Sequence, residues 1–209
     1  MEPPTKTEPP FVPLRHTGWA TRRTPLWIFA ALAVLAVGVV LVSLSHKPSQ
    51  SQRASDLTGY FSDVNTGVES CAGGVADSIA AMDKVLAGDK GELSAAVGII
   101  TLGAQNCQPV NNQPLTDFTS YQVTESLAQF PLNQADTDVI AWASPDAVNA
   151  QQDMLAVVQA ATPGARGVAE TTLRAALRTM DAQRAAIYAI WHSAERSVGA
   201  TAPLPALPA

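Results

Sequence analysis

Residues 55–88 read SDLTGYFSDVNTGVESCAGGVADSIAAMDKVLAG, and the spacing of their apolar side chains decides the fold. Leu57, Phe61, Val64, Val68, Cys71, Val75, Ile79, Met82 and Leu86 follow at intervals of 4, 3, 4, 3, 4, 4, 3 and 4. Such intervals keep all nine on one side of a 3.6-residue helix. Ser55 can cap the start, and Gly88 can end it by taking up a left-handed backbone. The stretch therefore predicts one helix of roughly 33 residues with a single apolar seam.

A second seam follows Gly91, in Leu93, Val97, Ile100, Ala104 and Cys107. Two amphipathic helices joined through Gly88-Asp89-Lys90-Gly91 predict an antiparallel hairpin. The midpoint between positions 71 and 107 is 89, inside that turn, so Cys71 and Cys107 should stand level. Ala72, Gly73, Gly74, Ala76, Ala80, Ala95, Ala96 and Gly98 leave room for the close helix approach that a disulfide needs. A Cys71–Cys107 disulfide is expected, and for its 36-residue separation the chain-entropy model gives roughly 4 kcal/mol. Metal ligation by this pair has no third or fourth ligand to complete it, and a catalytic dithiol lacks both a Cys-x-x-Cys spacing and a basic neighbour.

Downstream, Gln108 to Pro114 is a loop without periodicity. Thr116-Asp117 followed by Phe118, Tyr121, Leu127 and Phe130 suits a short helix stopped by Pro131, and Asp136 to Ala143 suits another, with a short strand through Val139, Ile140 and Trp142 as the alternative. Ser144-Pro145-Asp146 offers an N-cap, a proline in the first turn and an acid, opening a third long helix that carries Val148, Leu155 and Val158. The last helix, about Ala165 to Val198, has a seam of Leu173, Leu177, Met180, Arg184, Ile187, Trp191, Ala194 and Val198. Arg184 interrupts it, with Asp181 one turn away as its ion-pair partner. Residues 199–209, rich in Pro and Ala, are expected to be a disordered tail.

Upstream, Leu26 to Leu44 is nineteen residues without a charge. As a helix it spans about 28 Å, close to the roughly 30 Å hydrocarbon core of a bilayer, and is expected to cross a membrane once. Lys6, Arg15, Arg22 and Arg23 precede it while Lys47 and Arg53 follow, a bias towards a cytoplasmic N-terminus. A cleaved signal peptide is the rival reading, disfavoured by a long proline-rich leader and a long apolar run. Residues 1–25, with Glu-Pro-Pro from Glu2 and again from Glu8, read as a disordered cytoplasmic tail, and 45–53 as a polar linker.

The expected architecture is thus all-α: a single N-terminal transmembrane helix at the plasma membrane, then an extracytoplasmic up-and-down bundle over 54–198 with a disulfide-stapled hairpin. From Ala54 onward 7 basic against 16 acidic residues give −9, a field that opposes nucleic acid. Every aromatic residue of this domain falls in the half nearer the membrane segment. The structural reading is a core of large side chains there; the functional reading is a pocket for an apolar or lipid-like ligand lined by Tyr60, Trp142, Tyr188 and Trp191, with His192 at its edge. Haem would need a methionine near His192, but Met82, Met154 and Met180 belong to the other half. There is no Gly-x-Ser-x-Gly, no His-Glu-x-x-His and no phosphate loop, so neither an enzyme nor a cofactor or metal is expected. An interaction or accessory subunit of the bacterial cell envelope, meeting a protein partner, is the expected role, with a ligand-binding or sensor-like bundle as the alternative.

Overall fold

The computed structural model describes residues 47–88 and 90–208. The expectations for residues 1–25 and for the apolar segment 26–44 lie outside them. Among the described residues no helix is long and apolar enough to cross a membrane. The unit from Pro48 onward is all-α in class, with no strand among the described residues.

Helix α1 runs over Gln50–Leu86, α2 over Leu93–Asn106, α3 over Gln113–Phe118, α4 over Leu132–Ala141, α5 over Ala147–Val158 and α6 over Pro163–Val198. The seam places Leu57, Phe61, Val64, Val68, Cys71, Val75 and Met82 of α1 in the interior, as expected. The helix begins at Gln50, not at Ser55. Ser49 follows Pro48 and accepts the amide of Gln52, and the Gln50 amide donates to the Val198 carbonyl at the far end of α6. A polar first turn thus becomes helical through a cap and one tertiary hydrogen bond, neither of which leaves an apolar pattern. Gly88 ends the helical segment with φ 102°, a backbone that a side chain would resist.

The hairpin is stapled by a Cys71–Cys107 disulfide with a Cα–Cα distance of 4.5 Å. Small residues make the approach possible. A Cβ built on Gly74 would stand 2.8 Å from the Gly103 Cα, so the two backbones touch. Helix α2 also packs on α5, α5 on α6, and α1 on both α5 and α6, which closes a four-helix layer at the Gly88 end. Its core is Met82, Ile100, Met154, Val157, Val158 and Leu173. At the other end α3, the turn Glu125–Leu127 and α4 cover α1 and α6 over a larger, aromatic-rich core. Ile79 and Leu177 touch both cores and join them.

Three local expectations change. Helix α3, capped by Asn112 accepting the Leu115 amide, ends at Phe118, so Tyr121, Leu127 and Phe130 lie outside the helix expected to run on to Pro131. Val139 and Ile140 are helical in α4, so the strand alternative falls. Ser144 does not cap α5; it sits at φ −151°, ψ 111° inside a widened turn, Trp142–Asp146, that links α4 directly to α5 through a cis Ser144–Pro145 bond. A residue before proline is sterically excluded from helical geometry, so the chain breaks there instead of starting there.

The tail also differs from the expected disordered segment. After Gly199 turns the chain at φ 67°, residues 200–208 fold back along the domain, with Leu207 4% exposed and Ala200, Ala202 and Leu204 packed on the larger core. Ala202, Leu204 and Leu207 each precede a proline, which holds them extended and reduces the entropy lost on docking. Composition pointed to disorder because it does not count contacts made to another element.

Candidate functional site

The aromatic layer is built from the two long helices. Tyr60 and Phe61 come from successive positions of α1, Tyr188 and Trp191 from one face of α6, and Phe118 and Tyr121 from the end of α3 and the turn after it. Phe61 and Trp191 meet edge-on at 5.7 Å between ring centres, Tyr188 and Trp191 at 5.4 Å, and Tyr60 lies 6.0 Å from Tyr121. Such tilted contacts add to the burial that holds the layer together.

At its centre is a buried polar chain. The Trp191 indole N–H donates to the Tyr60 hydroxyl at 3.2 Å, and that hydroxyl donates to Asp136 Oδ1 at 2.8 Å. Asp136 is supplied by α4 and is 8% exposed. Burial raises its carboxyl to about 6, with the Tyr60 hydrogen bond opposing part of that rise. Burial, and then the charge of Asp136, drives the Tyr60 phenol far above its ordinary range. The phenol therefore stays protonated and acts as a fixed donor, tying α1, α4 and α6 together. Asp136 opens the helix expected from sequence over Asp136 to Ala143, and its neighbours carry a signal of its burial. Leu132, Ala135 and Val139 are the buried apolar residues of α4, and Asp136 falls on the same face.

The pocket expected from Tyr60, Trp142, Tyr188, Trp191 and His192 is not assembled. Tyr60, Trp142 and Trp191 are 0% exposed, so no space large enough for a water molecule touches them. The rings of these three are enclosed by neighbouring side chains. Trp142 is buried with its indole nitrogen unpaired, whereas that of Trp191 is used. His192 points outward, its side chain 53% exposed and Nδ1 3.0 Å from Glu195 Oε2. Tyr188 borders a cleft of about 480 Å³ between α1 and the tail. Its hydroxyl donates to the Pro205 carbonyl at 2.8 Å and accepts the Leu207 amide at 3.2 Å.

Other concave surfaces lie on the hairpin. Clefts of about 190 and 250 Å³ run between α1 and α2 and share Asp77 and Ile99. A further cleft of about 320 Å³ has Asp63 and Asp117 at its rim and Phe118 and Tyr121 on its floor. Among the described residues no group of three or more His, Cys, Asp or Glu side chains is placed to hold a metal ion. The Arg184–Asp181 pair forms at 2.8 Å, which explains a charged residue on the α6 seam.

No family model, no curated protein and no solved structure matches this chain. Functional inference rests on its own surfaces and chemistry.

Proposed function

We propose that the chain is a non-enzymatic, single-pass membrane protein with a cytoplasmic N-terminus, whose extracytoplasmic helical domain serves as an interaction or accessory subunit of the bacterial cell envelope. The observation that carries this reading is the outer face of α2. None of the fourteen residues of α2 is charged. Ala96, Ile100, Gly103 and Ala104 are covered by α1 and α5, while Ile99 and Leu102 remain 41% and 58% exposed. Ser94, Thr101 and Gln105 share that outer face, so it is uncharged and mixed, and exposed apolar side chains grouped on one uncharged face are the kind of surface that meets a protein. The Cys71–Cys107 disulfide supports an oxidising compartment, and the uncharged segment Leu26–Leu44 supports attachment to the membrane that borders it.

The test is co-purification of the full chain from gently solubilised membranes, with Leu102→Glu as the probe of the face. A partner in fixed ratio that is lost from the variant, at unchanged thermal stability, is the expected result. A wild-type chain that sediments alone as a monomer would overturn the reading.

A further inference from the structure

Beside Tyr188 this chain's own residues 200–208 lie docked along the domain as an extended peptide. The way they dock shows what the surface recognises. Three apolar residues, Ala202, Leu204 and Leu207, face the domain, and each is held extended by the proline that follows. Two side chains of α6 read the backbone: Tyr188 through the Pro205 carbonyl and the Leu207 amide, and Glu195 through the Ala202 amide at 3.3 Å. An open cleft of about 480 Å³ runs alongside residues 206–208, which form one wall of it, with Ala72 and Ala76 as its apolar side and Asn65 and Glu69 as its polar side.

We propose that this groove is a docking site for an extended, proline-interrupted apolar segment of a protein partner, which displaces the tail from Tyr188 and reaches into the open cleft beside Glu69. The proposal rests on the interaction-subunit reading and names the chemistry of one partner. Three features favour such an occupant. An aromatic hydroxyl flanked by small residues is the kind of surface that takes preformed, proline-stiffened chains at low entropic cost. Among the described residues the tail is held by three side-chain hydrogen bonds and apolar contact, with no ion pair, which favours displacement. The open cleft matters most. A tethered tail competes at an effective concentration on the order of millimolar, so a partner needs contacts the tail does not make, and the cleft alongside it provides them.

The experiment uses the full chain in zwitterionic lipid nanodiscs and a fluorescent peptide with the sequence of residues 200–209. The variant Leu204→Glu/Leu207→Glu releases the tail by placing charges at the buried Leu207 and half-buried Leu204 positions; deletion of residues 200–209 releases it without adding any. Either released form should bind the peptide at least about tenfold more tightly than wild type, since the tethered competitor is gone. Tyr188→Phe in the released form should weaken binding by about fivefold to tenfold, because it removes both backbone contacts. Extending the peptide with two lysines at its C-terminus should tighten binding, and Glu69→Gln should abolish that gain. A released form with unchanged helical circular dichroism and no free thiol that gains no peptide binding would overturn the proposal. So would binding indifferent to Tyr188→Phe, or a wild-type mass in solution showing the tail exchanged with a second copy. If the peptide fails while a partner still co-purifies through Leu102, the groove falls and the interaction reading stands. The opposite pattern removes the α2 face alone.

Discussion

Gly74 and Gly103 face each other across the α1–α2 crossing with no room for a side chain on either. A Cβ on Gly74 would lie 2.8 Å from the Gly103 Cα, and a Cβ on Gly103 would lie 2.5 Å from Gln151 Nε2 and 2.6 Å from both the Gly74 carbonyl and Ser78 Oγ. Gly74→Ala and Gly103→Ala should each destabilise the domain by about 1–3 kcal/mol or more, the second more severely because it also displaces the buried Gln151–Ser78 hydrogen bond. Gly73→Ala and Gly98→Ala meet nothing within 4 Å and should raise stability by about 0.5–1 kcal/mol through helix propensity. Urea unfolding of the four variants measures this; equal effects at positions 73 and 74 would refute the close crossing.

The staple closes a loop with a sequence separation of 36. Cys71→Ala/Cys107→Ala should lower stability by about 2–4 kcal/mol. Denatured, non-reduced protein should show no reactive thiol, whereas two would contradict the pairing.

Asp136 makes stability depend on pH in a definite direction. Its carboxyl is raised from 3.8 to about 6 in the folded protein, so the native state holds the proton more tightly than the unfolded chain. Stability should therefore rise as pH falls through about 6, level off below about 3.8, and be lower above 6, where the buried carboxylate is ionised. The full effect is at most about 3 kcal/mol, from 1.36 kcal/mol per pH unit. Asp136→Asn keeps an acceptor for Tyr60 but cannot ionise, and should remove this component. The measurement is the difference in denaturant midpoint between wild type and variant at pH 7.5 and pH 4.5; an unchanged difference would exclude Asp136 as its source.

Trp191 and Trp142 are buried equally but bonded unequally, since only Trp191 donates to Tyr60 and the Trp142 nitrogen has no partner. Replacing either by Phe removes similar volume. Trp142→Phe also removes a buried donor left unpaired, so it should cost about 1–2 kcal/mol less than Trp191→Phe. Thermal unfolding monitored by circular dichroism compares them.

Periodicity made α1, α2 and α6 legible because each buries one face over several turns, and that leaves a 3–4 spacing whatever lies opposite. The level cysteines followed from antiparallel geometry alone. The segment 108–146 resisted because short helices carry too few turns to show a period, and because Ser144-Pro145 resembles a cap while acting as a break. In the aromatic layer the sequence located the residues and left their use undecided. Whether eight rings enclose a pocket or fill a core depends on how far apart the helices stand.

By itself the sequence determined a helical hairpin with a disulfide, an aromatic half and an alanine- and glycine-rich half, and an uncharged stretch long enough to span a bilayer. Only the tertiary structure decided that Asp136 is buried against Tyr60, that Tyr60, Trp142 and Trp191 leave no void, and that residues 200–208 are docked against Tyr188. The division has a physical reason. Patterns along a chain report which face of an element is apolar, whereas burial, proton affinity and docking depend on which distant groups meet, and that information is absent from any single stretch of sequence.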